Sequence, residues 1–496
     1  MVTTYENWIG GRWVPARSGA TRENIDPANG EVLGIFPRSN ADDVADAVSA
    51  ARKALDSWRL TPAPHRGEIL FRAGEILKER KEESARDMTP EMGKVVAESR
   101  GDVQEAIDMA YYMAGEGRRS FGQTTPSELP NKFAMCVRQP IGVVAAITPW
   151  NFPMALPAWK IMPALACGNT VVFKPAADVP KSGWNLVKAL EEAGLPPGVL
   201  NLVFGNGGEA GAPLVEHPAI DLVSFTGSNA VGKSIALTAT KLNKRLHLEL
   251  GGKNAIIILD DADIEPALDG VIWSAFGTTG QRCTSASRLI VQRGVLDEFT
   301  ERLIARTEAL RLGNGLDENT DVGPLANREQ LVKVNSYMDV ARQEGATIAC
   351  GGSIASDGPL AKGFFFRPTV LTNVKPDMRV AQEEIFGPVT AVIAADDLDD
   401  AVAINNGVRY GLSTSVYTRD VNKAFRAIEG ITTGVVYINA GTIGAEVHLP
   451  FGGTRETGNG HREAGQAALD TYTEWKTVFV DYSGHIQRAH HIDEPD

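Results

Sequence analysis

From Ile141 onward the chain repeats one pattern: a short apolar run, a turn of Gly, Pro or Asn, then a helical periodicity. The runs GVVAAIT, TVVF, VLNLVF and DLVSF follow one another in this way. Strands separated by helices have no tight hairpins to join them, so they are expected to lie parallel in a doubly wound sheet. The alternation resumes after Gly251 with NAIIIL, RLIV, TAVIA, STSVYT and GVVYIN, as if a second unit followed the first. A chain of 496 residues, 43% of them hydrophobic, exceeds what one core usually supports, so an α/β protein of two or three domains is expected. Ahead of the alternation, WIGGRWV reads as a hairpin turning at Gly10 and Gly11. Asn40 can cap a helix through Val44, Val48, Ala51, Leu55 and Trp58, and a second follows through Ile69, Leu70, Ala73, Ile76 and Leu77. Near the other end, TYTEWKTVFVDYSG is a strand with no helix after it. A strand left at an edge invites pairing outside its domain, and a neighbouring subunit is one option.

The stretch GSNAVGKS, Gly227 to Ser234, fits the phosphate-loop pattern G-x-x-x-x-G-K-[ST], and AIIILDD offers an apolar strand ending in acids as the magnesium strand of a nucleotidase. Between them, HLELGGKN puts an acid and a Gly-Gly turn where a nucleotidase needs neither. Asp260 to Asp263 read instead as helix capping and dipole complement. The same Gly-rich strand-to-helix turn suits the pyrophosphate of a dinucleotide. A net charge of -13 and the lack of a long basic run exclude a general nucleic-acid surface. The N-terminus has no signal pattern, and no window holds the roughly 18 uninterrupted apolar residues a membrane helix needs. A soluble, cytoplasmic protein acting on small molecules is expected, with no membrane or nucleic-acid partner and no metal.

The four cysteines, Cys136, Cys167, Cys283 and Cys350, are too scattered for a zinc site and too few for a disulfide framework. Three read as small core hydrophobes. Cys283 differs, because GTTGQRCTSASR surrounds it with small and polar residues that let backbone approach a substrate. The N–H at its own position could donate to a developing oxyanion, and Asn151 in TPWNFP, set between prolines and aromatics, could aim a second donor.

TPWNFP, VVFKPA, SFTGS, LELGGKN, GQRC, EEIFGPV and PFGG occur together and in order. With these seven motifs the chain resembles the aldehyde dehydrogenase superfamily over nearly its full length. The resemblance implies two Rossmann-like parallel-sheet domains and a β oligomerisation extension. Residues 1–123 and 141–250, with 454–470, would bind NAD or NADP; 251–453 would form the catalytic domain; 124–140 and 471–496 would form the extension. In that extension KFAMCVRQ would pair with the Lys476 to Asp481 strand of a neighbour, giving a homodimer or homotetramer. The lysine and serine that complete the phosphate-loop match become accidental.

The resemblance also assigns roles. Cys283 would be the nucleophile, Glu249 the general base and Asn151 an oxyanion donor. Lys174 would contact the adenosine ribose, Thr226, Gly227, Ser228 and Gly232 the pyrophosphate region, and Glu384 the nicotinamide-side ribose with Phe386 nearby. Thr148, Pro149, Trp150, Leu250 and Gly251 belong to the same motifs, and Gln330 and Lys333 match a weaker pattern near the cofactor. After PFGG the family usually has x-K-x-S-G-x-G-R-E; here TRETGNGHRE carries Arg455, Thr457 and an extra His461. Many NAD-specific members have a glutamate where this chain has Ala177, so NADP should be accepted, although Asp178 next door could restore discrimination. The substrate side resembles semialdehyde dehydrogenases of the 2-oxoglutarate and aminoadipic types. Arg282 is then a candidate partner for a distal carboxylate, and Glu105 resembles a residue that meets an amino group. A broad-specificity aldehyde dehydrogenase is the alternative, an acylating enzyme is disfavoured by Glu249, and a phosphate-loop nucleotidase is the remaining reading from another class.

Overall fold

The computed structural model describes residues 2–487, so residues 488–496 of the expected extension lie outside the described residues. Two seven-stranded sheets organise the molecule. In the first, Arg245–Glu249, Leu222–Thr226, Val143–Ile147, Thr170–Lys174 and Leu200–Leu202 lie side by side and parallel, and the Asn7–Ile9 and Arg12–Val14 hairpin adds two antiparallel strands. In the second, Thr369–Thr372, Val389–Ala395, Ala286–Gln292, Asn254–Ile258, Ser413–Tyr417 and Val435–Ile438 are parallel, with Thr347–Cys350 antiparallel at the edge. The central strands are buried on both faces, which is why they read as continuous apolar runs rather than alternating ones.

In the first sheet the order of connection reverses between Val143–Ile147 and Leu222–Thr226. Chains leaving neighbouring strand ends in opposite directions open a crevice there, and Thr148 and Gly227 stand at its rim. The Arg245–Glu249 strand ends the first sheet, and after Leu250 to Lys253 the chain enters the second sheet at Asn254. Glu249 therefore closes one sheet where the other begins.

The helix over Ala41–Leu60 starts at Asn40, whose side chain accepts from Asp42 N in a capping box with Asp43, and it buries Val44, Val48, Ala51 and Trp58. The Val96–Glu116 helix packs against Ala155–Ala166 and carries Glu98, Asp102 and Glu105 along one face.

The pairing of the terminal strand differs from the expectation. Thr473–Asp481 pairs antiparallel with Lys132–Pro140 of the same chain, from Thr473 opposite Pro140 to Asp481 opposite Lys132, and Gln123–Pro126 completes a three-stranded sheet. The cause is local. Asn169 accepts from the N–H of Ile141 (2.8 Å) and Gly142 (2.9 Å) and donates to the carbonyl of Tyr472 (2.9 Å), tying together the points where both strands join the body. Strands that leave one knot side by side close into a ribbon before any neighbour is involved. Cys136 lies half-buried on this sheet beside Thr477 rather than in a core, whereas Cys167 and Cys350 are buried as expected.

The acids of LDDAD also behave differently. Asp263 occupies the N-cap position of the Ile264–Phe276 helix without a side-chain bond. Asp261 instead accepts from Thr418, from the N–H of Arg419 and Asp420 and, with Asp260, from Lys423, so these acids fasten the start of the Val421–Gly430 helix.

Candidate active site

The nucleophile loop is bent by its own backbone. Thr278 (φ 51°), Thr279 (φ 57°) and Gly280 (φ 66°) are three successive residues in the left-handed region. Two β-branched residues in that conformation are strained, and the surrounding contacts hold them. Gln281 donates to the carbonyl of Thr278 and accepts from Ala326 N, Arg282 Nε donates to Thr278 Oγ1 (2.8 Å), and Thr278 N donates to Glu98 (2.7 Å). Asn254 Nδ2 then donates to the carbonyls of Cys283 (2.7 Å) and Ser285 (3.0 Å). Asn254 lies inside the LELGGKN motif, yet nothing in its spacing shows that it anchors the thiol's own backbone.

The Gly-Gly turn of that motif has a steric reason. A Cβ on Gly251 would stand 2.5 Å from Glu384 Oε2, and one on Gly252 2.6 Å from the carbonyl oxygen of Cys283. Only bare backbone lets Glu384 and the thiol loop close on the turn together. Gly252 N donates to Glu384 Oε1 (2.9 Å). Thr457, one of the departures after PFGG, secures the same turn, since its hydroxyl donates to Gly251 O (3.0 Å) and its carbonyl accepts from Leu250 N (2.6 Å).

Three cavities join along this framework. The largest, about 900 Å³, fills the crevice of the first sheet and is walled by Thr148, Pro149, Trp150, Lys174, Ala177, Thr226 and Gly227. A second, of about 190 Å³, shares Pro149, Trp150, Thr226 and Gly227 and adds Asn151, Ser228, Leu250, Gly251, Glu384, Phe386 and Cys283, with Gln330 and Lys333. A third, of about 230 Å³, also has Cys283 on its wall and is lined by Glu105, Arg282, Trp273 and Phe451. Gly232 lines none of the three. It lies under Leu250, 2.4 Å from where its Cβ would be, and lets the helix approach the turn.

The largest cavity fits a dinucleotide on the chain's own chemistry. The hydroxyls of Thr148 and Thr226 are buried on its wall without partners among the described residues, and Ser228 caps the helix whose first turns line the crevice through Val231 and Ser234. Lys174 is buried with Nζ donating, among the described residues, only to Pro175 O, and burial brings it down to about 8. Lys233, the phosphate-loop lysine, instead points outward to Glu456 (3.0 Å) and is 60% exposed, so the loop match has no lysine to offer a terminal phosphate. Phe386 (φ 62°) meets Trp150 edge to face at 5.5 Å, and Gln330 holds its loop through the carbonyls of Ile385 and Phe386.

Around the thiol the charges are acidic. Burial pushes Cys283 well above the ordinary thiol range, and the carboxylates of Glu249, Glu384, Glu463 and Glu105 add to it. Glu249 lines none of the three cavities; its buried Oε1 has no partner among the described residues and faces Gly452. Burial, then repulsion from Glu463, raises its carboxyl well above the usual range, while Lys160, ion-paired with Glu463, opposes the rise. Arg282 is buried, not a solvated surface charge. Its Nη2 meets Glu98 (3.0 Å) and its plane lies over Trp273 (4.7 Å), leaving Nη1 without a bond among the described residues. Glu105 makes no hydrogen bond there, and burial followed by the charge of Asp102 raises it to about 8.

A thiol on the wall of two small chambers, one sharing its lining with a nucleotide-sized crevice and the other carrying acids and an arginine, defines an α/β enzyme of nucleophilic thiol chemistry. The chain belongs to the aldehyde dehydrogenase family, whose sequence profile it matches over residues 13–478. It is 42% identical to the alpha-ketoglutaric semialdehyde dehydrogenase of Bacillus subtilis, covering 96% of this chain and 98% of that one. It is 45% identical to the alpha-ketoglutarate semialdehyde dehydrogenase of Haloferax volcanii, over 97% and 100% of the two chains. Among solved structures, betaine aldehyde dehydrogenase of Staphylococcus aureus in complex with NAD+ superimposes with a TM-score of 0.96 at 37% identity, over 99% of this chain and 97% of that one. The protein is thus an NAD(P)-dependent aldehyde dehydrogenase with the fold of that family.

Proposed function

We propose that this chain oxidises a semialdehyde carrying a distal carboxylate to the corresponding acid, through a covalent intermediate on Cys283. The observation that carries this is the position of Cys283, the one nucleophilic side chain on the wall of both the cofactor-side and the substrate-side chamber. Cys283, whose burial and acidic surroundings keep it a thiol at rest, reacts as the minor thiolate after its proton leaves to solvent. Attack on the aldehyde carbon gives a thiohemiacetal, with its oxyanion held by the Asn151 amide and the Cys283 N–H. NAD(P), when held by the residues of the crevice, would supply the hydride acceptor for the oxidation of the thiohemiacetal to a thioester. Glu249 takes the proton of the water that hydrolyses it. Lys174, Thr226 to Ser228 and Glu384 would hold the dinucleotide, and NADP would be accepted because Ala177 presents no carboxylate to a 2′-phosphate.

Arg282 Nη1 is the free donor for the distal carboxylate. Glu105, neutral below about pH 8, can donate to the same group rather than repel it. The names of the two semialdehyde relatives support this class. The three-part domain division is proposed on the sheet pairings, with 454–470 joined to the first unit through the bridge of Gly458 to Glu249. Cytoplasmic placement is proposed on the four unpaired thiols. The test follows absorbance at 340 nm with a panel of carboxylate-bearing and alkyl aldehydes. Wild type should reduce the cofactor fastest with the former, and Cys283→Ala should reduce none. Equal rates across the panel, together with an Arg282→Ala variant of unaltered preference, would leave only the broad-specificity reading.

A further inference from the structure

Beside the large crevice lies a side pocket of about 210 Å³, and the two share Arg22, Ala176, Ala177 and Asn206 on their walls. Arg22 comes from the Thr21–Ile25 strand, part of a two-stranded ribbon with Val32–Pro37 that belongs to neither large sheet. No motif of the sequence points to it.

Two carboxylates and two guanidiniums meet here, and they are not equally committed. Asp178 Oδ1 accepts from Arg22 Nη2 (2.8 Å) and Oδ2 from Asn327 Nδ2 (3.1 Å), while Asn24 Nδ2 fixes its backbone carbonyl (2.9 Å). Each oxygen already accepts one bond and the charge is offset by Arg22, which weakens Asp178 as a discriminating carboxylate for ribose hydroxyls. Arg38 is gripped at two points by Glu209, through Nε (2.8 Å) and Nη2. Arg22 is held at one, through Nη2, and its Nε and Nη1 make no other bond among the described residues.

We infer that Arg22 is the specificity-determining residue that receives the 2′-phosphate of the adenosine ribose, so that this chain favours the phosphorylated dinucleotide. The inference rests on the reading of the large cavity as the dinucleotide site. A guanidinium suits the task because its planar fork meets a phosphate with two donors while Nη2 keeps Asp178. Ala177 supplies the room beside it.

The test is calorimetric and needs no turnover. Dissociation constants for 2′,5′-ADP and for ADP are measured on the full chain, wild type and Arg22→Gln, Arg22→Lys and Asp178→Asn, with thermal melts to establish folding. Wild type should bind 2′,5′-ADP at least tenfold more tightly than ADP. Arg22→Gln should remove that preference, Arg22→Lys should keep part of it, and Asp178→Asn should enlarge it. A wild-type preference that survives Arg22→Gln overturns the assignment of Arg22 while leaving phosphate acceptance standing. Equal binding of the two probes overturns the phosphate preference, and failure of both to bind overturns the dinucleotide reading together with it.

Discussion

At the scale of single residues, the two unpartnered carboxyls near the thiol carry the sharpest consequences. Glu249→Gln removes the base for the hydrolytic half of the reaction and leaves the thiol, so steady-state turnover should fall by about 10²–10⁴. Stopped flow should still show one equivalent of reduced cofactor per site in the first turnover; a lost burst would place Glu249 before thioester formation. Glu105, raised to about 8, is neutral below that pH and negative above it. KM for a carboxylate-bearing aldehyde should therefore rise as pH passes through 8, while KM for an alkyl aldehyde stays level, and Glu105→Gln should flatten the first profile. The special character of Cys283 was readable because its loop is Gly, Thr and Ser instead of apolar side chains. The burial of Arg282 was not readable, since a charge beside a nucleophile looks the same in sequence whether it faces water or, as here, Glu98 and Trp273. Asn254 and Arg22 were equally silent, because their partners lie far away along the chain.

At the scale of elements, the doubly wound alternation was legible wherever strands are buried on both faces, since such strands must be continuous apolar runs. The Arg245–Glu249 strand lacks that texture. It alternates leucines with His247 and Glu249, and the polar partners are buried in a network that sequence does not display: Ser224 contacts His247 Nδ1 and the Tyr472 hydroxyl at 3.0 Å each. Glu98, Asp102 and Glu105 stand at helical spacing, and acids at such intervals ordinarily mark a solvated face, so the spacing gives no sign of what they meet. Here Lys94 pairs with Asp102 (2.8 Å) and Arg282 with Glu98. Asn169 shows how one side chain sets the arrangement of elements. Asn169→Ala would orphan two backbone donors and the Tyr472 carbonyl at the base of the projecting sheet, at about 1–3 kcal/mol for each group that stays buried and unpaired. The urea midpoint should fall accordingly, whereas an unchanged midpoint would show that water reaches the knot and replaces the amide.

At the scale of the whole molecule, the projecting sheet of Gln123–Pro126, Lys132–Pro140 and Thr473–Asp481 is the part that one chain leaves unfinished. Trp475 and Phe479 are 49% and 64% exposed, on one face of the last strand, and Val480, 48% exposed, stands on the other opposite Phe133, itself 45% exposed. An apolar patch spread over both faces of a thin sheet is costly to hydrate, and large exposed patches mark association surfaces. Because the strand is already paired within its own chain, association would proceed through the sheet's faces and its two free edges, Gln123–Pro126 and Thr473–Asp481, not by exchange of the terminal strand. We therefore propose that a second copy of this chain covers these residues, in line with the homodimer or homotetramer that the resemblance implies. Phe479→Glu with Trp475→Glu should shift the mass measured by light scattering toward the monomer while the thermal melt of the body stays cooperative. A wild-type chain that runs as a monomer at micromolar concentration would remove the proposal, since both apolar faces would then be tolerated in water.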